Sequence, residues 1–254
     1  MIARLPVLLR RTFRLARLTL HLVWGGGLVG LAFPLLSTAA RNRLISRWSR
    51  RLLAVLGVKL RADAVPIASH GALLVCNHVS WLDIHVILAT RQVHFVSKSE
   101  VRDWPLFGWL ATRTGTLFIE RARRADTLRI NTDMHALMDA GAWVAVFPEG
   151  TTSDGLGMRK FLSSLLQPAV TLGCPVIPAA LRYRSLDGQP STAPAYIEDV
   201  SLWQSLKQVV DSPGLIAELR FAAPIAPSGH RRELAQQAES IVAGLLGITP
   251  ADPP

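Results

Sequence analysis

The chain has 254 residues, half of them hydrophobic, and carries a formal net charge of +10 with a pI near 10.9. This length accommodates one α/β domain with an appendage. The positive charge predicts an anionic partner, and because no nucleic-acid-binding motif accompanies it, a mean hydropathy of +0.29 favours an anionic membrane surface over nucleic acid.

The first 60 residues are predicted to attach the chain to a membrane. Residues 18–40 contain no Asp, Glu, Lys or Arg and are long enough to cross roughly 30 Å of hydrocarbon. The glycine run 25–27 and Pro34 interrupt this stretch, and arginines flank it on both sides. The flanking charge gives no orientation, so a single span and a hairpin in one leaflet, bent at the glycine run, both remain open. We expect attachment to the inner membrane, with the rest of the chain on its cytoplasmic face.

Residues 41–60 have the spacing of a basic amphipathic helix. Arginines occupy much of its surface, and apolar residues recur every three or four positions. The apolar positions are Leu44, Ile45, Trp48, Leu52, Val55 and Leu56. Such a helix suits an anionic lipid surface, although packing on the folded domain is an alternative. We therefore divide the chain into a membrane-anchoring segment at 1–60, a folded domain at 61–247 and a disordered tail at 248–254.

The most informative segment is 77–83, which follows the apolar run 72–76 and places His78 five positions before Asp83. Along one regular helix five residues turn through roughly 140°, so the two side chains would not meet. They meet if His78 lies on the turn leaving a buried strand and Asp83 lies in the first turn of the next helix. An Asp bound to one imidazole nitrogen leaves the other free to take a proton from a hydroxyl. A surface His beside a helix start with an added Asp is the alternative.

Strands alternate with helices along the rest of the chain. Strands are predicted at 72–76, 94–97, 114–119, 142–147, 174–181 and 216–221. Helices are predicted after Asp83, at 125–140, near Leu202 and at 231–246. This alternation predicts an α/β fold in which helices flank a mixed, mostly parallel sheet.

Two further segments have a composition that suggests a binding role. Residues 104–110 are apolar and aromatic, and they fit either an acyl- or membrane-facing element or plain core packing. Residues 148–155 combine a carboxylate, hydroxyls and glycines, which suits binding a polyol or a phosphate. The same composition also fits an ordinary long turn.

In this order, four segments resemble the motifs of the glycerolipid acyltransferase family, which includes the 1-acylglycerol-3-phosphate acyltransferases. The first motif is matched by Asn77, His78, Ser80 and Asp83. The second is matched by Gly115, Phe118, Ile119 and Arg121. The third and fourth are matched by 147–151 and 176–180, and the resemblance covers about residues 60–225.

The resemblance implies an O-acyltransferase that moves a fatty acyl group from an acyl thioester to the hydroxyl of a lysolipid. The donor would be acyl-CoA or acyl carrier protein, and no other cofactor is implied. His78 would be the general base and Asp83 would orient it, while backbone N–H groups near the start of the following helix would stabilise the oxyanion. The residues implied in substrate binding are Asn77, Ser80, Gly115, Arg121, Glu149, Gly150 and Thr151. Among these, Arg121 would hold an anionic group, and Glu149 and Thr151 would meet hydroxyls.

The chain departs from the family at two positions near the implied head-group site. Many members have Arg where this chain has Thr152, and a Phe-Lys pair where it has Phe161 and Leu162. Arg159 and Lys160 lie nearby and offer replacement charges. Lysophosphatidic acid is the expected acceptor, giving phosphatidic acid, and lyso-ornithine lipid is the alternative because 147–155 also resembles the enzymes that acylate it.

Two other classes of protein remain as alternatives. A serine hydrolase would use Ser80 or Ser153 as nucleophile, although the chain lacks a G-x-S-x-G nucleophile elbow. A catalytically silent membrane-binding protein would keep the fold without the reaction. Cys76 and Cys174 both fall in predicted strands and the histidines lack zinc-type spacing, so we expect neither a disulfide nor a metal site.

Overall fold

A seven-stranded sheet forms the centre of the described part of the chain. The computed structural model describes residues 6–68, 71–104, 107–120, 124–197, 200–227 and 229–248. The strands are β1 (Val58–Ala62), β2 (Ala72–Cys76), β3 (His94–Lys98), β4 (Leu117–Ile119), β5 (Trp143–Val146), β6 (Val176–Ser185) and β7 (Leu215–Phe221). They lie in the order β1-β7-β6-β2-β5-β3-β4, and each neighbouring pair is parallel except β6 with β7. The predicted mixed, mostly parallel sheet is confirmed.

Several of the helices begin or end at residues that cap them. They are α1 (Val7–Gly27), α2 (Thr38–Leu56), α3 (Leu82–Thr90), α4 (Phe107–Arg113), α5 (Arg124–Asp139), α6 (Gln167–Leu172), α7 (Leu202–Asp211) and α8 (Arg231–Leu246). Ser201 and Gln204 form a reciprocal capping box at the start of α7. The backbone of Gly57 takes φ of 81° and thereby ends α2.

Two hydrophobic layers cover the two faces of the sheet. Leu74 of β2 packs in one core with residues of α2, α3 and α7. Its neighbours Leu73 and Val75 point the opposite way, into a second core with residues of α5 and α8. Because β2 is buried on both faces, all five of its residues are apolar.

The glycine run lies inside a helix, so the alternative in which the chain bends there is wrong. Gly25–Gly27 are the last residues of α1, which continues through a π-helical turn at Leu28–Ala32 and a 3₁₀ turn at Phe33–Leu35. A Cβ on Gly25 would lie 2.3 Å from the indole nitrogen of Trp48. The glycine at that position therefore serves close packing of α1 on α2, and the chain reverses only between Leu35 and Thr38.

The predicted helix at 41–60 is correct in type but wrong in its end and in its surroundings. It ends at Leu56, and β1 begins two residues later, so the predicted domain boundary at residue 60 falls inside a strand of the sheet. Its apolar residues Leu52 and Leu56 are buried in the core beside α3. The alternative interpretation, a helix that packs on the domain, therefore describes α2. Of the predicted tail at 248–254, all but Ile248 lies outside the described residues.

Candidate active site

The turn between β2 and α3 brings His78 and Asp83 together. His78 follows the carboxyl end of β2, and Asp83 lies in the first turn of α3. The Nδ1 atom of His78 lies 2.8 Å from the Oδ2 atom of Asp83. This is the arrangement that the spacing predicts, and it excludes the alternative in which the two side chains act independently.

Asp83 is fully buried, and donors surround its carboxylate. In addition to His78, the backbone N–H groups of Val79 and Ser80 donate to Oδ2 at 2.7 and 2.9 Å. The hydroxyl of Tyr183 donates to Oδ1 at 2.8 Å. The carboxylate is therefore fixed in one orientation. Because it occupies the N–H groups of Val79 and Ser80, the expectation that such groups stabilise a substrate oxyanion is wrong for these two.

His78 is held by ring stacking and by backbone hydrogen bonds, but its imidazole remains partly exposed to solvent. Its side chain is 21% exposed, and its ring stacks on Phe147 with centroids 4.0 Å apart. The backbone N–H of His78 donates to Glu149 at 2.7 Å, and its carbonyl accepts from the N–H of Ser153 at 2.7 Å. Across the described ranges no side chain or backbone group binds Nε2. This nitrogen is therefore the one available to an incoming hydroxyl.

Glu149 joins the catalytic turn to the loop that follows β5. One carboxylate oxygen accepts from the backbone N–H of His78, and the other accepts from that of Arg159 at 2.8 Å. Burial raises the pKa of Glu149 to about 7, and the two N–H donors oppose that shift. Both oxygens are engaged within the protein and Glu149 is 6% exposed, so Glu149 has a structural role in this loop, and its contact with a substrate hydroxyl stays a prediction.

Asn77 and Ser80 are fully buried and have no surface for the substrate contact that the sequence predicts. The side-chain amide of Asn77 donates to the carbonyl of Leu181 at 2.9 Å and accepts from its N–H at 2.7 Å. The hydroxyl of Ser80 accepts from the N–H of Leu82 at the start of α3. Both side chains thus shape the turn that carries His78.

The remaining predicted substrate contacts fall in different places. Gly115 has φ of 84°, and its carbonyl accepts from the ring of His94 at 2.9 Å. It precedes β4 and so lies toward the edge where the parallel strands begin, opposite the edge that carries His78. Gly150 forms a tight turn with φ of 78°, and Thr151 beside it is exposed. Arg121 lies outside the described residues.

Comparison with known proteins places this geometry in a family. The family model described as "Acyltransferase" matches residues 58–182. The chain is 37% identical to a lyso-ornithine lipid O-acyltransferase of Pseudomonas aeruginosa, with 81% of this chain and 79% of that protein aligned. It is 34% identical to a 1-acyl-sn-glycerol-3-phosphate acyltransferase of Neisseria meningitidis, with 82% of each aligned. The chain belongs to the glycerolipid acyltransferase family.

The fold of this acyltransferase also matches a solved structure. The 1-acyl-sn-glycerophosphate acyltransferase PlsC of Thermotoga maritima aligns with a TM-score of 0.71 over 94% of each chain. At 23% identity this likeness concerns the fold alone. Because 94% of this chain is aligned, the likeness includes the sheet and also helices that precede residues 58–182, the range matched by the family model.

The loop after β5 of the acyltransferase carries a buried neutral side chain and, further on, two exposed cations. Thr152 is buried, and its hydroxyl donates to the carbonyl of Tyr196. Arg159 and Lys160 are exposed. The position where many family members have Arg therefore serves a contact within the protein, and the two exposed cations follow later in the same loop.

Neither serine proposed for a hydrolase has the surroundings of a nucleophile. The Ser80 hydroxyl is buried and accepts from a backbone N–H, and the Ser153 hydroxyl donates to the carbonyl of His78 at 3.2 Å. In the described ranges, no group of three or more His, Cys, Asp or Glu side chains is arranged to hold a metal ion. Cys76 and Cys174 are both buried and unbridged.

Sequence reasoning missed two side chains of the site. Tyr183 reaches Asp83 from β6, 100 positions further along the chain. Phe147 was assigned to a motif, but its stacking on His78 was not predicted. The available signal was a Tyr between two arginines near the end of an apolar strand. Alternation along a strand turns Tyr183 away from the side of Arg182 and Arg184 and into the core, where a buried phenol needs a hydrogen-bond partner.

Proposed function

We propose that this acyltransferase transfers a fatty acyl group from an acyl thioester to the free hydroxyl of a lysolipid, with His78 as general base. The observation that carries the proposal is the 2.8 Å hydrogen bond between His78 Nδ1 and Asp83, together with the partly exposed imidazole. A carboxylate on Nδ1 holds the proton there and leaves Nε2 as the basic nitrogen.

The reaction needs one base and no covalent enzyme intermediate. Nε2 of His78 takes the proton of the acceptor hydroxyl as its oxygen attacks the thioester carbonyl carbon. The tetrahedral intermediate collapses, the carbon–sulfur bond breaks, and the imidazolium returns the proton to the leaving thiolate. An ester and a free thiol result, and Asp83 stabilises the imidazolium between the two steps.

For the acceptor we rank 1-acylglycerol-3-phosphate first. The exposed Arg159 and Lys160 beside the site, together with the net charge of +10, suit its phosphate. Lyso-ornithine lipid is the second candidate, because Thr152 replaces a cation with a neutral group that is engaged with Tyr196. The relatives from Neisseria meningitidis and Pseudomonas aeruginosa carry these two activities in their names. The donor in either case is acyl-CoA or acyl carrier protein.

We also propose that the enzyme lies on the cytoplasmic face of the inner membrane, held there by one face of α1. The helix from Val7 to Leu35 is long and apolar enough to cross a bilayer by length and composition. However, one face is buried along the domain, and that face includes Arg10, Arg14, Leu18, His21, Gly25 and Val29. The exposed surface of this helix carries large apolar side chains, among them Leu9, Phe13, Leu20, Trp24, Leu31 and Leu35. A helix covered on one side and apolar on the other suits the interface better than a span.

Exposed aromatic side chains of α4 are consistent with the same membrane-facing surface. Phe107 and Trp109 are each about two-fifths exposed, at 41% and 39%. The ring of Trp109 lies near Gly30, at 3.8 Å from the position a Cβ would take there. The ring of Trp109 therefore adjoins the amino-terminal helix, and Trp is a residue favoured at membrane interfaces.

The proposed function is tested with purified protein on vesicles that contain one lysolipid at a time. Each lysolipid is offered with acyl-CoA and with acylated acyl carrier protein as donor, and products are identified by mass. We expect phosphatidic acid from lysophosphatidic acid, and loss of all product in His78→Ala. His135→Ala, a half-buried histidine of α5, is the matched control and should keep wild-type activity. Preference for lyso-ornithine lipid would reverse the ranking, and full activity of His78→Ala would overturn the mechanism.

A further inference from the structure

The two oxygens of the Asp83 carboxylate are held by different parts of the chain. Oδ2 accepts from His78, Val79 and Ser80, all in the same turn. Oδ1 accepts from the hydroxyl of Tyr183 at 2.8 Å, and the described residues give it no other donor. We propose that Tyr183 is a positioning residue for acyl transfer, which holds the carboxylate so that Oδ2 faces the imidazole. This inference rests on the function proposed above.

The sheet itself delivers the phenol to this position. Parallel pairing between β2 and β6 ends with Cys76 opposite Ala179. Beyond this point the side-chain amide of Asn77 takes the place of a strand partner, because it donates to the carbonyl of Leu181 and accepts from its N–H. Tyr183 stands two residues beyond Leu181 and therefore points to the same face of the strand. Asn77 thus sets where β6 runs, and Tyr183 uses that register to reach Asp83.

The surroundings of Tyr183 ensure that it acts as a donor. Its side chain is 3% exposed. Burial, together with the negative charge of Asp83, raises the pKa of Tyr183 well above its usual range, so the phenol keeps its proton. Because Asp83 is fully buried, water has no access to replace the donor if the hydroxyl is removed.

A donor on Oδ1 affects the reaction in two ways. It fixes the rotation of the carboxylate and so aims the imidazole, which matters for the rate of the chemical step. It also spreads the negative charge of the His78–Asp83 pair, so that the pair holds an additional proton less firmly. Without the hydroxyl, the pair is protonated at a higher pH and activity is lost earlier on the acid side. Tyr183 is too buried to touch a substrate, so the KM values should not change.

The first test is Tyr183→Phe, assayed for acyl transfer on vesicles across a range of pH. We expect kcat to fall roughly ten- to hundredfold, as for loss of one hydrogen bond to a charged group, with KM unchanged. The acid limb of the pH profile should move to higher pH. The matched control is Ser205→Ala, which removes a buried hydroxyl that accepts from the indole of Trp81 at 3.1 Å without touching Asp83. It should lower thermal stability and leave the pH profile in place.

An unchanged kcat and acid limb in Tyr183→Phe would overturn the inference, and so would an equal shift in Ser205→Ala. If Tyr183→Phe does not fold, 3-fluorotyrosine labelling provides an isosteric test. The chain has two tyrosines, so labelling in a Tyr196→Phe background modifies Tyr183 alone. The more acidic phenol is a stronger donor and should move the acid limb to lower pH than in the unlabelled protein; an unmoved limb would overturn the inference.

The assay separates the two levels of the argument. Absence of transfer by the wild-type protein with every acceptor and donor would overturn the proposed function and this inference with it. Wild-type transfer combined with unmoved profiles in the phenylalanine and fluorotyrosine proteins would overturn the role of Tyr183 alone.

Discussion

The catalytic turn and the amino-terminal helix satisfy their buried polar groups in opposite ways. Three of the four donors to Asp83 come from residues within five positions of it. Arg14 of α1 is equally buried, but it donates to the carbonyls of Val210, Ser212 and Pro213, which lie 196 to 199 positions away. The turn is thus specified by a short motif. The carbonyls that bind Arg14 of α1, in contrast, come together only once the domain has folded.

The difference separates what each region does. The local network fixes the imidazole that we propose as the general base. The distant network attaches α1 to the end of α7, where the backbone carbonyls of a helix carboxyl terminus attract cations. This attachment covers the arginine face of α1 and leaves its apolar face open. The same helix can therefore belong to the domain and present a surface to lipid.

The largest expected effect comes from breaking the local network. Asp83→Asn keeps the shape of the side chain but replaces an acceptor by a donor next to His78 Nδ1, which favours the wrong tautomer. We expect kcat to fall by on the order of 10³- to 10⁴-fold. Asp133→Asn, which alters a carboxylate on α5 that is 40% exposed, is the control and should be neutral. Activity of Asp83→Asn within tenfold of wild type would contradict the account.

Breaking the distant network should affect stability more than chemistry. Arg14→Met leaves one buried and two partly buried backbone carbonyls without this donor, so the free energy of unfolding should fall by roughly 3 to 5 kcal/mol. The comparison variant is Arg43→Met on the exposed surface of α2, for which the change should stay within about 0.5 kcal/mol. Chemical denaturation measures both. Equal stabilities of the two variants would mean that α1 does not dock on α7 as described.

Glu149 links the catalytic turn to the next loop and should give stability a pH dependence. Its pKa is about 7 in the folded protein against an ordinary value of 4.5, so the folded state holds the proton more tightly than the unfolded state. The resulting stabilisation is present below pH 4.5 and is lost as pH rises through 7, by roughly 3 kcal/mol. Glu149→Gln has no carboxyl group at this position and therefore lacks this pH-dependent stabilisation. As pH rises from 4.5 to above 7, the free energy of unfolding of the wild-type protein should therefore fall by that amount relative to Glu149→Gln, as measured by chemical denaturation at each pH. Parallel pH profiles of the two proteins would contradict the burial of the carboxylate.

The smallest effect concerns the exposed face of α1. Leu31 is 79% exposed on the proposed membrane surface, and Leu31→Asn should weaken binding to anionic vesicles about tenfold. Leu128→Asn removes a leucine that is 64% exposed on α5, in the opposite layer, and serves as control. Vesicle sedimentation measures both. Equal loss of binding in the two variants would argue against α1 as the membrane-facing element.

The same comparison explains which features the sequence could predict. The His78–Asp83 contact, the sheet type and six of the seven described strands follow from local spacing and alternation, and these were predicted. Strand β1 and the short helices α4 and α6 were not. The roles of Asn77 and Glu149 were not, because their partners Leu181 and Arg159 are specified by the paths of other segments. A motif names the residues that matter at a site, but it does not say whether they face the substrate or the protein.

The amino-terminal region was predicted least well for a related reason. Glycine is compatible both with a bend and with close helix packing, and the choice at Gly25 depends on Trp48, 23 positions further on. Likewise the arginines before residue 18 were interpreted only as charge that flanks an apolar stretch, whereas Arg10 and Arg14 are buried against α7. Composition predicts an affinity for membranes, but only tertiary packing determines which face of the helix is available.

The central claim is tested most directly by the protonation state of one ring. The chain has seven histidines, so ¹⁵N-histidine labelling and comparison with His78→Ala identify the His78 signals in the NMR spectrum. At mildly alkaline pH the account predicts the tautomer with the proton on Nδ1 and a free Nε2, and loss of that preference in Asp83→Asn. A proton on Nε2 in the wild-type protein would contradict it, because the ring would then have no basic nitrogen to offer the acceptor hydroxyl.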